Sequence, residues 1–391
     1  TIFQSGRFAL VLGASATSTS AAQLHATPTQ GQQQREKPLS VNAFDPTGPD
    51  IYLIILDAYT GSASLRRHYG FDNSPFLSEL KARGFTVPDA PRANYAATFL
   101  SLASMLNWTY VNDLVPGSGR DYDPVYGMIR DNRTLRFLLE RGYQHIFLPS
   151  VFTPTRETAY ADSVIVAVRQ STTTTTEFVP AWLETTVWGA AFDWLCDVKD
   201  ACHEAVQEPA DIIRWRFEQV GAIASHPGPK FVFAHMVVPH GPFVFGESCE
   251  LKDRSYLLDL DEDERAAGLR VAYREQVQCV NKMVLEMVDS ILSRSAEPPI
   301  IVLQGDHGYG LFHRPPPIGE LTQEQLKERF DIFAAYLLPD GGAEAIYPSI
   351  SPVNVLPRIL NHYFGTEIPT HDDRSYYSSW LRPYKFIEYA H

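Results

Sequence analysis

The sequence predicts an α/β sandwich built around a largely parallel sheet, and three observations carry that prediction. Apolar, β-branched runs at Ile51-Tyr52-Leu53-Ile54-Ile55-Leu56, Phe231-Val232-Phe233-Ala234 and Ile300-Ile301-Val302-Leu303 show no polar alternation. Such runs are the mark of strands covered on both faces. Segments with helical spacing separate them, the alternation expected of crossover helices and a parallel sheet. Two of the runs end in an acid, Asp57 and Asp306, and the C-terminal edge of such a sheet is where ligands bind.

A chain of 391 residues can bury a substantial core, and α/β proteins of this length are often one elaborated domain. Apolar content of 45% with 20% charged residues is ordinary for a globular protein. Thirty-three basic residues against 46 acids give a net charge of −13, which argues against a nucleic-acid partner, because phosphate backbones need clustered positive charge. A phosphorylated small molecule is still compatible, since one metal ion inverts the local field. Cys196, Cys202, Cys249 and Cys279 form no CxxC pair. Their even number fits two disulfides, Cys196–Cys202 and Cys249–Cys279, in an oxidising compartment, and equally fits four buried thiols.

No stretch nears the roughly 20 apolar residues of a membrane span. Residues 8–16 are apolar and read as the tail of a signal or membrane segment, or as a short helix. With the start at Thr1, this leads us to expect a segment upstream. Residues 17–48 are rich in Ser, Thr, Ala, Gln and Pro and read as a linker. The division is therefore an arm over 1–48 and a folded unit over 49–391.

Within that unit, a helix is expected over residues 73–83, with Asn73 or Ser74 as cap, Pro75 at its first turn and Gly84 as stop. Phe85-Thr86-Val87 reads as a short strand. Phe99, Leu102, Ala103 and Leu106 have helical spacing, which places Thr98 near a helix N-terminus. There an anion would meet the positive end of the dipole, although a plain N-cap explains an isolated Thr as well. A helix over 135–141 with Gly142 as stop leads into a strand at His145-Ile146-Phe147-Leu148. Residues 171–176 read as a loop or an edge, and the aromatic-rich stretch 178–220 as helices that line one side of the cleft or pack in the core. The strand after Lys230 runs into a turn in which His240 is held between Pro239 and Gly241-Pro242. His235, inside that strand, reads as a core histidine. Residues 261–294 form a long helix with an apolar stripe at Val277, Val280, Val284, Val288 and Ile291. Residues 330–338 read as one strand, and 353–364 as a helix.

The sheet edge thus collects Asp57, Asp306, His307 and His240, with Thr98 on a nearby helix and His313 six residues beyond His307. Oxygen and imidazole donors without thiolate suit Zn²⁺ or Mn²⁺. A threonine hydroxyl becomes a competent nucleophile when a metal lowers its pKa.

These residues resemble the alkaline-phosphatase superfamily in its sulfatase-like branch, which includes lipoteichoic acid synthases and phosphoethanolamine transferases. The resemblance rests on Ile54-Ile55-Leu56-Asp57, the helix start from Thr98 to Leu106, Pro239-His240-Gly241-Pro242-Phe243 and Gly305-Asp306-His307-Gly308, and covers roughly residues 49–380. It implies an alkaline-phosphatase-like α/β/α sandwich in which Asp57, Thr98, Asp306 and His307 bind one divalent metal. Thr98 would be the nucleophile that becomes phosphorylated, and His240 would position the substrate or act as general acid. His313 would be a second substrate-side histidine or a second-metal ligand; His235, outside the resemblance, is a further candidate for substrate or a second metal. The implied activity is hydrolysis or transfer of phosphate esters, on a phosphorylated small molecule or a lipid head group. The implied location is extracytoplasmic, with membrane tethering through a segment upstream of residue 1. A catalytically silent scaffold in an envelope complex and a sulfate or phosphonate ester hydrolase are the alternatives. Two departures stand out: the transferases usually carry Glu where this chain has Asp57, and the sulfatase pattern of Cys or Ser followed by x-Pro-x-Arg is absent at Thr98. Threonine cannot become formylglycine, which disfavours a true sulfatase.

Overall fold

In the computed structural model, which describes residues 9–10, 48–115, 119–168, 199–254, 262–310, 321–379 and 382–390, six strands form the central sheet. They are β1 (Ile51–Leu56), β2 (Gln144–Leu148), β3 (Ser163–Val164), β4 (Lys230–Met236), β5 (Ile300–Gly305) and β6 (Ala334–Leu337), in the order β3-β2-β4-β1-β5-β6. All neighbours are parallel except β6, which pairs antiparallel with β5. Every residue of β1, β4 and β5 is buried. This is the reason their sequences read as continuous apolar runs.

The alternation of side chains along a strand sends these runs into two separate cores. Tyr52, Ile54, Leu56, Val232, Ala234, Ile301 and Leu303 face one core. It is closed by α1 (Ser62–Tyr69), α2 (Ser74–Ala82), α6 (Lys199–Ala222) and α7 (Glu262–Arg294). Ile51, Leu53, Ile55, Phe231, Phe233, Ile300 and Val302 face the other. There α3 (Thr98–Asn107), α4 (Asp123–Arg130), α5 (Arg133–Leu139) and α9 (Pro352–Phe364) pack. Two helical layers around a mostly parallel sheet make the α/β/α sandwich that the sequence predicts. The stripe on α7 is buried as its spacing requires.

Local departures have physical causes. Residues 330–338 are not one strand: α8 (Gln323–Phe330) ends there, and β6 starts only at Ala334. Between them Asp331 and Ile332 are extended but bridge Arg92 and Thr60 rather than β5, and the Asp331 carboxylate accepts from Ser64 N at 2.8 Å while its carbonyl accepts from Gly61 N at 2.9 Å. Phe85-Thr86-Val87 contributes a single bridge, Thr86 to Tyr336. An antiparallel pair, β7 (Ser375–Ser379) and β8 (Arg382–Tyr389), has no counterpart in the sequence reading. Cys249 and Cys279 form a disulfide. The Cys196–Cys202 pairing, the loop 171–176, the arm over 17–47 and His313 lie outside the described residues. Among the described residues, no helix is long and apolar enough to cross a membrane.

Candidate active site

Register brings the site together. Leu56, the last residue of β1, pairs with Met236 of β4 on one side and with Gly305 of β5 on the other. The next residues on β1 and β5 are Asp57 and Asp306, so two carboxylates emerge side by side at the C-terminal edge. Ile55 pairs with His235. His235 shares the face of Phe231 and Phe233, and Asp57 shares the face of Ile55 by the same alternation. That face is the one α3 covers, with Thr98 as its first residue.

Close backbone approach fixes the Asp306 loop. A Cβ on Gly305 would sit 2.5 Å from the Tyr59 carbonyl oxygen, and one on Gly308 would sit 1.9 Å from that of Glu328. Only glycine fits at either position. Asp306 Oδ1 accepts from Ala58 N at 2.8 Å and from His307 N at 2.9 Å, which holds the carboxylate still while its other oxygen has no partner. His307 Nδ1 lies 2.9 Å from the Gly308 carbonyl. A carbonyl only accepts, so Nδ1 carries the proton and Nε2 presents its lone pair. Nε2 stands 3.1 Å from Thr98 Oγ1, 3.5 Å from Asp306 Oδ2 and 3.9 Å from Asp57 Oδ1.

A cation ties the nucleophile candidate to this loop. Arg329, on α8, donates to the carbonyls of Gly308 (3.1 Å) and Tyr309, and also to that of Ala96 (3.1 Å). It thereby links the loop after β5 to the segment entering α3. Burial pushes the His307 imidazole pKa down, and Arg329 adds to that, against the acids Asp306 and Asp57. The net shift favours the neutral ring. Burial also opposes charge on Asp57, but its histidine neighbours, His240 foremost, outweigh it and hold the carboxyl well below its usual range.

His240 lies at the exposed rim. Its backbone N–H donates to the Asp57 carbonyl at 3.0 Å, and its Nδ1 donates to the Gly241 carbonyl at 2.8 Å. The turn is held from beneath by Gln276 of α7, whose Nε2 donates to the carbonyls of Pro239 (3.2 Å), His240 (2.9 Å) and Pro242 (3.3 Å). Tyr273, one turn earlier on α7, donates to the Ala58 carbonyl at 2.7 Å. Sequence reading found neither Gln276, Tyr273 nor Arg329. Each looks like an ordinary polar residue on a helix, and its partners lie far away in the chain.

His235 departs from the expectation of a satisfied core histidine. It is 1% exposed, and its Nε2 has no hydrogen-bond partner. Among the described residues, eight buried side-chain polar atoms are unpartnered, and three of them are here: Asp57 Oδ1, His235 Nε2 and Asp306 Oδ2. An unpaired buried polar atom costs about 1–3 kcal/mol, so three converging on one point call for a missing partner. The spacing fits a metal ion. Two donors about 2.1 Å from a tetrahedral ion stand about 3.4 Å apart. His235 Nε2 lies 3.4 Å from Asp57 Oδ2, and His307 Nε2 lies 3.5 Å from Asp306 Oδ2. Carboxylates, imidazoles and a hydroxyl suit zinc or manganese.

The fold and this edge place the chain in the alkaline-phosphatase-like class of architecture. No protein-family model matches the sequence, and no curated protein matches it in sequence. Among solved structures, the chain is similar to the C-terminal periplasmic domain of EcEptC from Escherichia coli in complex with zinc. That likeness has a TM-score of 0.53 at 10% identity and covers 87% of this chain and 92% of the other. It is also similar to the C-terminal periplasmic domain of the phosphoethanolamine transferase EptC from Campylobacter jejuni, with a TM-score of 0.50 at 12% identity, covering 82% and 90%. At such identities the likeness is one of fold.

Proposed function

We propose that this chain is a divalent-metal-dependent enzyme acting on phosphate esters, with Thr98 as nucleophile. The observation that carries the reading is the convergence of Thr98 Oγ1, the His307 lone pair and the unpartnered oxygens of Asp57 and Asp306 at a helix N-terminus. Asp57, Asp306, His307 and Thr98 would hold the ion. When bound, it would supply electrostatic stabilisation to the deprotonated hydroxyl and to charge shifting at phosphorus.

The chain's own residues account for the rest. Thr98 sits at the first position of α3, where the helix dipole favours the negative oxygen. The Thr98 hydroxyl gives up its proton to solvent, its oxygen bonds to phosphorus, and the bond from phosphorus to the leaving oxygen breaks, that oxygen taking a proton from solvent or from His240 in its imidazolium form. His240, with Nδ1 held by Gly241, offers Nε2 at the rim to orient the substrate or to protonate that oxygen. Water or an acceptor alcohol then displaces Thr98 from phosphorus. A lipid head group is the substrate class we favour, following the phosphoethanolamine transferase of similar fold. The Cys249–Cys279 disulfide supports an extracytoplasmic setting, as do the periplasmic domains of similar fold. A silent scaffold gives no account of three unpartnered atoms at one point.

The test is turnover of nitrophenyl phosphate mono- and diesters by metal-depleted protein, with Zn²⁺ or Mn²⁺ added back. Thr98→Ala is expected to lower kcat/KM at least ~10³-fold. Undiminished turnover in that variant would remove Thr98 from the mechanism.

A further inference from the structure

Resting on the proposed metal site, we infer that His235 is an additional ligand of that ion. The four residues that the resemblance assigns to that ion do not include it, and the sequence offers it only for substrate or a second metal. The structure separates its two ring nitrogens. Nδ1 lies 2.9 Å from Thr155 Oγ1. That hydroxyl is itself fixed, 2.6 Å from Ser150 Oγ and 3.3 Å from the Phe152 carbonyl. The ring of Phe152 packs edge-on against the imidazole, with centroids 5.5 Å apart. The His235 carbonyl accepts from Arg216 Nη2 at 2.9 Å, so the strand end is held as well. Ring and backbone are therefore positioned on one side, while Nε2 on the other side lies 3.4 Å from Asp57 Oδ2.

This is how a metal-binding histidine is arranged: one nitrogen is held by an oxygen partner that sets ring orientation, and the other is left for the ion. His235 Nε2 faces Asp57 Oδ2 at 3.4 Å without a hydrogen bond, and Asp57 Oδ1 and Asp306 Oδ2 beside it are likewise unpartnered. The donor atoms of Asp57, His235 and Asp306 lie within 4.8 Å of one another, and all three residues are buried. His235 thus extends the donor set to the β4 side of Asp57, opposite His307 on the β5 side.

The experiment is ion binding rather than catalysis. Full-length protein is stripped with chelator, and Zn²⁺ affinity is measured by competition with a chromophoric chelator. Co²⁺ is then added alone and its visible absorption recorded. His235→Ala is expected to weaken Zn²⁺ at least ~100-fold, the upper end of what loss of an outer hydrogen-bond partner costs, and to change the Co²⁺ spectrum. Thr155→Val keeps the imidazole and removes only its anchor. It is expected to weaken Zn²⁺ on the order of 10-fold, so the inference stays testable if the alanine variant fails to fold. Wild-type affinity and an unchanged Co²⁺ spectrum in a folded His235→Ala, or wild-type affinity in Thr155→Val, would overturn the assignment while leaving the proposed function standing. Wild-type protein that takes up no ion would overturn both.

Discussion

The two ends of the same parallel strands treat buried charge in opposite ways. At the N-terminal end, Lys230 opens β4 at 2% exposure, and its ammonium is fully engaged. It is paired with Asp50 beside β1, and it donates to the carbonyls of His226 (2.9 Å) and Ala224 (3.4 Å). Asp50 Oδ1 also accepts from Lys230 N at 3.2 Å. At the C-terminal end, Asp57, His235 and Asp306 are just as buried, yet each keeps an atom without a partner. A buried charge whose donors and acceptors are all answered is part of the scaffold. Buried groups left open toward one point are a place for something else to bind.

The largest expected effect tests the open end. Asp306→Asn keeps the Oδ1 that accepts from Ala58 and His307 while removing the charge. Turnover is expected to fall at least ~10³-fold. Unfolding free energy of the metal-free protein should stay within about 1 kcal/mol of wild type. Zn²⁺ at about 1,000 times its Kd should stabilise wild type by about 4 kcal/mol and the variant far less. Denaturant titrations with and without Zn²⁺ read both quantities. A metal-free Asp306→Asn that unfolds several kcal/mol earlier would erase the contrast, because the acid would then be scaffold.

The closed end should answer the other way. Lys230→Met removes one partner of a buried ion pair and leaves Asp50 uncompensated, a loss of about 3 kcal/mol. Turnover per folded molecule should be unchanged, since the pair lies at the far end of β4 from His235. A selective loss of kcat with full stability would mean that the two ends are not separable.

The sequence made the scaffold legible and the site only partly so. Strands β1, β4 and β5 announce themselves because both faces are buried, and the acids that end two of them follow directly. Thr98 was visible as a helix start. By contrast, the place of His235 depends on its pairing with Ile55, and register between strands some 180 residues apart leaves no local trace. Arg329 and Gln276 act through carbonyls far off in sequence, so no spacing reveals them. One signal was present and missed: Thr322 and Gln325 form a capping box that starts α8. It would have split residues 330–338 into a helix end and a short strand. The β7–β8 pair escaped because Ser375-Tyr376-Tyr377-Ser378-Ser379 lacks clean alternation and packs through aromatic contacts such as Tyr95 with Tyr376, centroids 5.9 Å apart.

A second buried histidine gives the smallest effect and the finest control on the comparison. His145, on β2, is 2% exposed and also keeps an unpartnered Nε2, but that nitrogen stands alone. The imidazole stacks on Phe231, with centroids 5.5 Å apart, and Nδ1 donates to the Tyr160 carbonyl. Burial pushes its pKa down from 6.5 to about 4. The folded protein therefore binds fewer protons here than the unfolded chain does between those values. The stability contribution is complete above pH 6.5 and is lost as pH falls toward 4, up to about 3 kcal/mol. His145→Phe keeps the stacking and removes the titration, so its stability relative to wild type should improve by up to that amount between pH 7 and 4. Asp162 Oδ2 accepts from the His145 backbone N–H at 2.7 Å, but among the described residues no carboxylate pairs with Nε2, so Zn²⁺ should leave this difference unchanged, whereas it should alter the behaviour of His235 variants. A wild-type-minus-variant gap that is flat with pH would mean that His145 is protonated in the folded state. An unpartnered buried nitrogen would then not by itself separate an apolar niche from a ligand site.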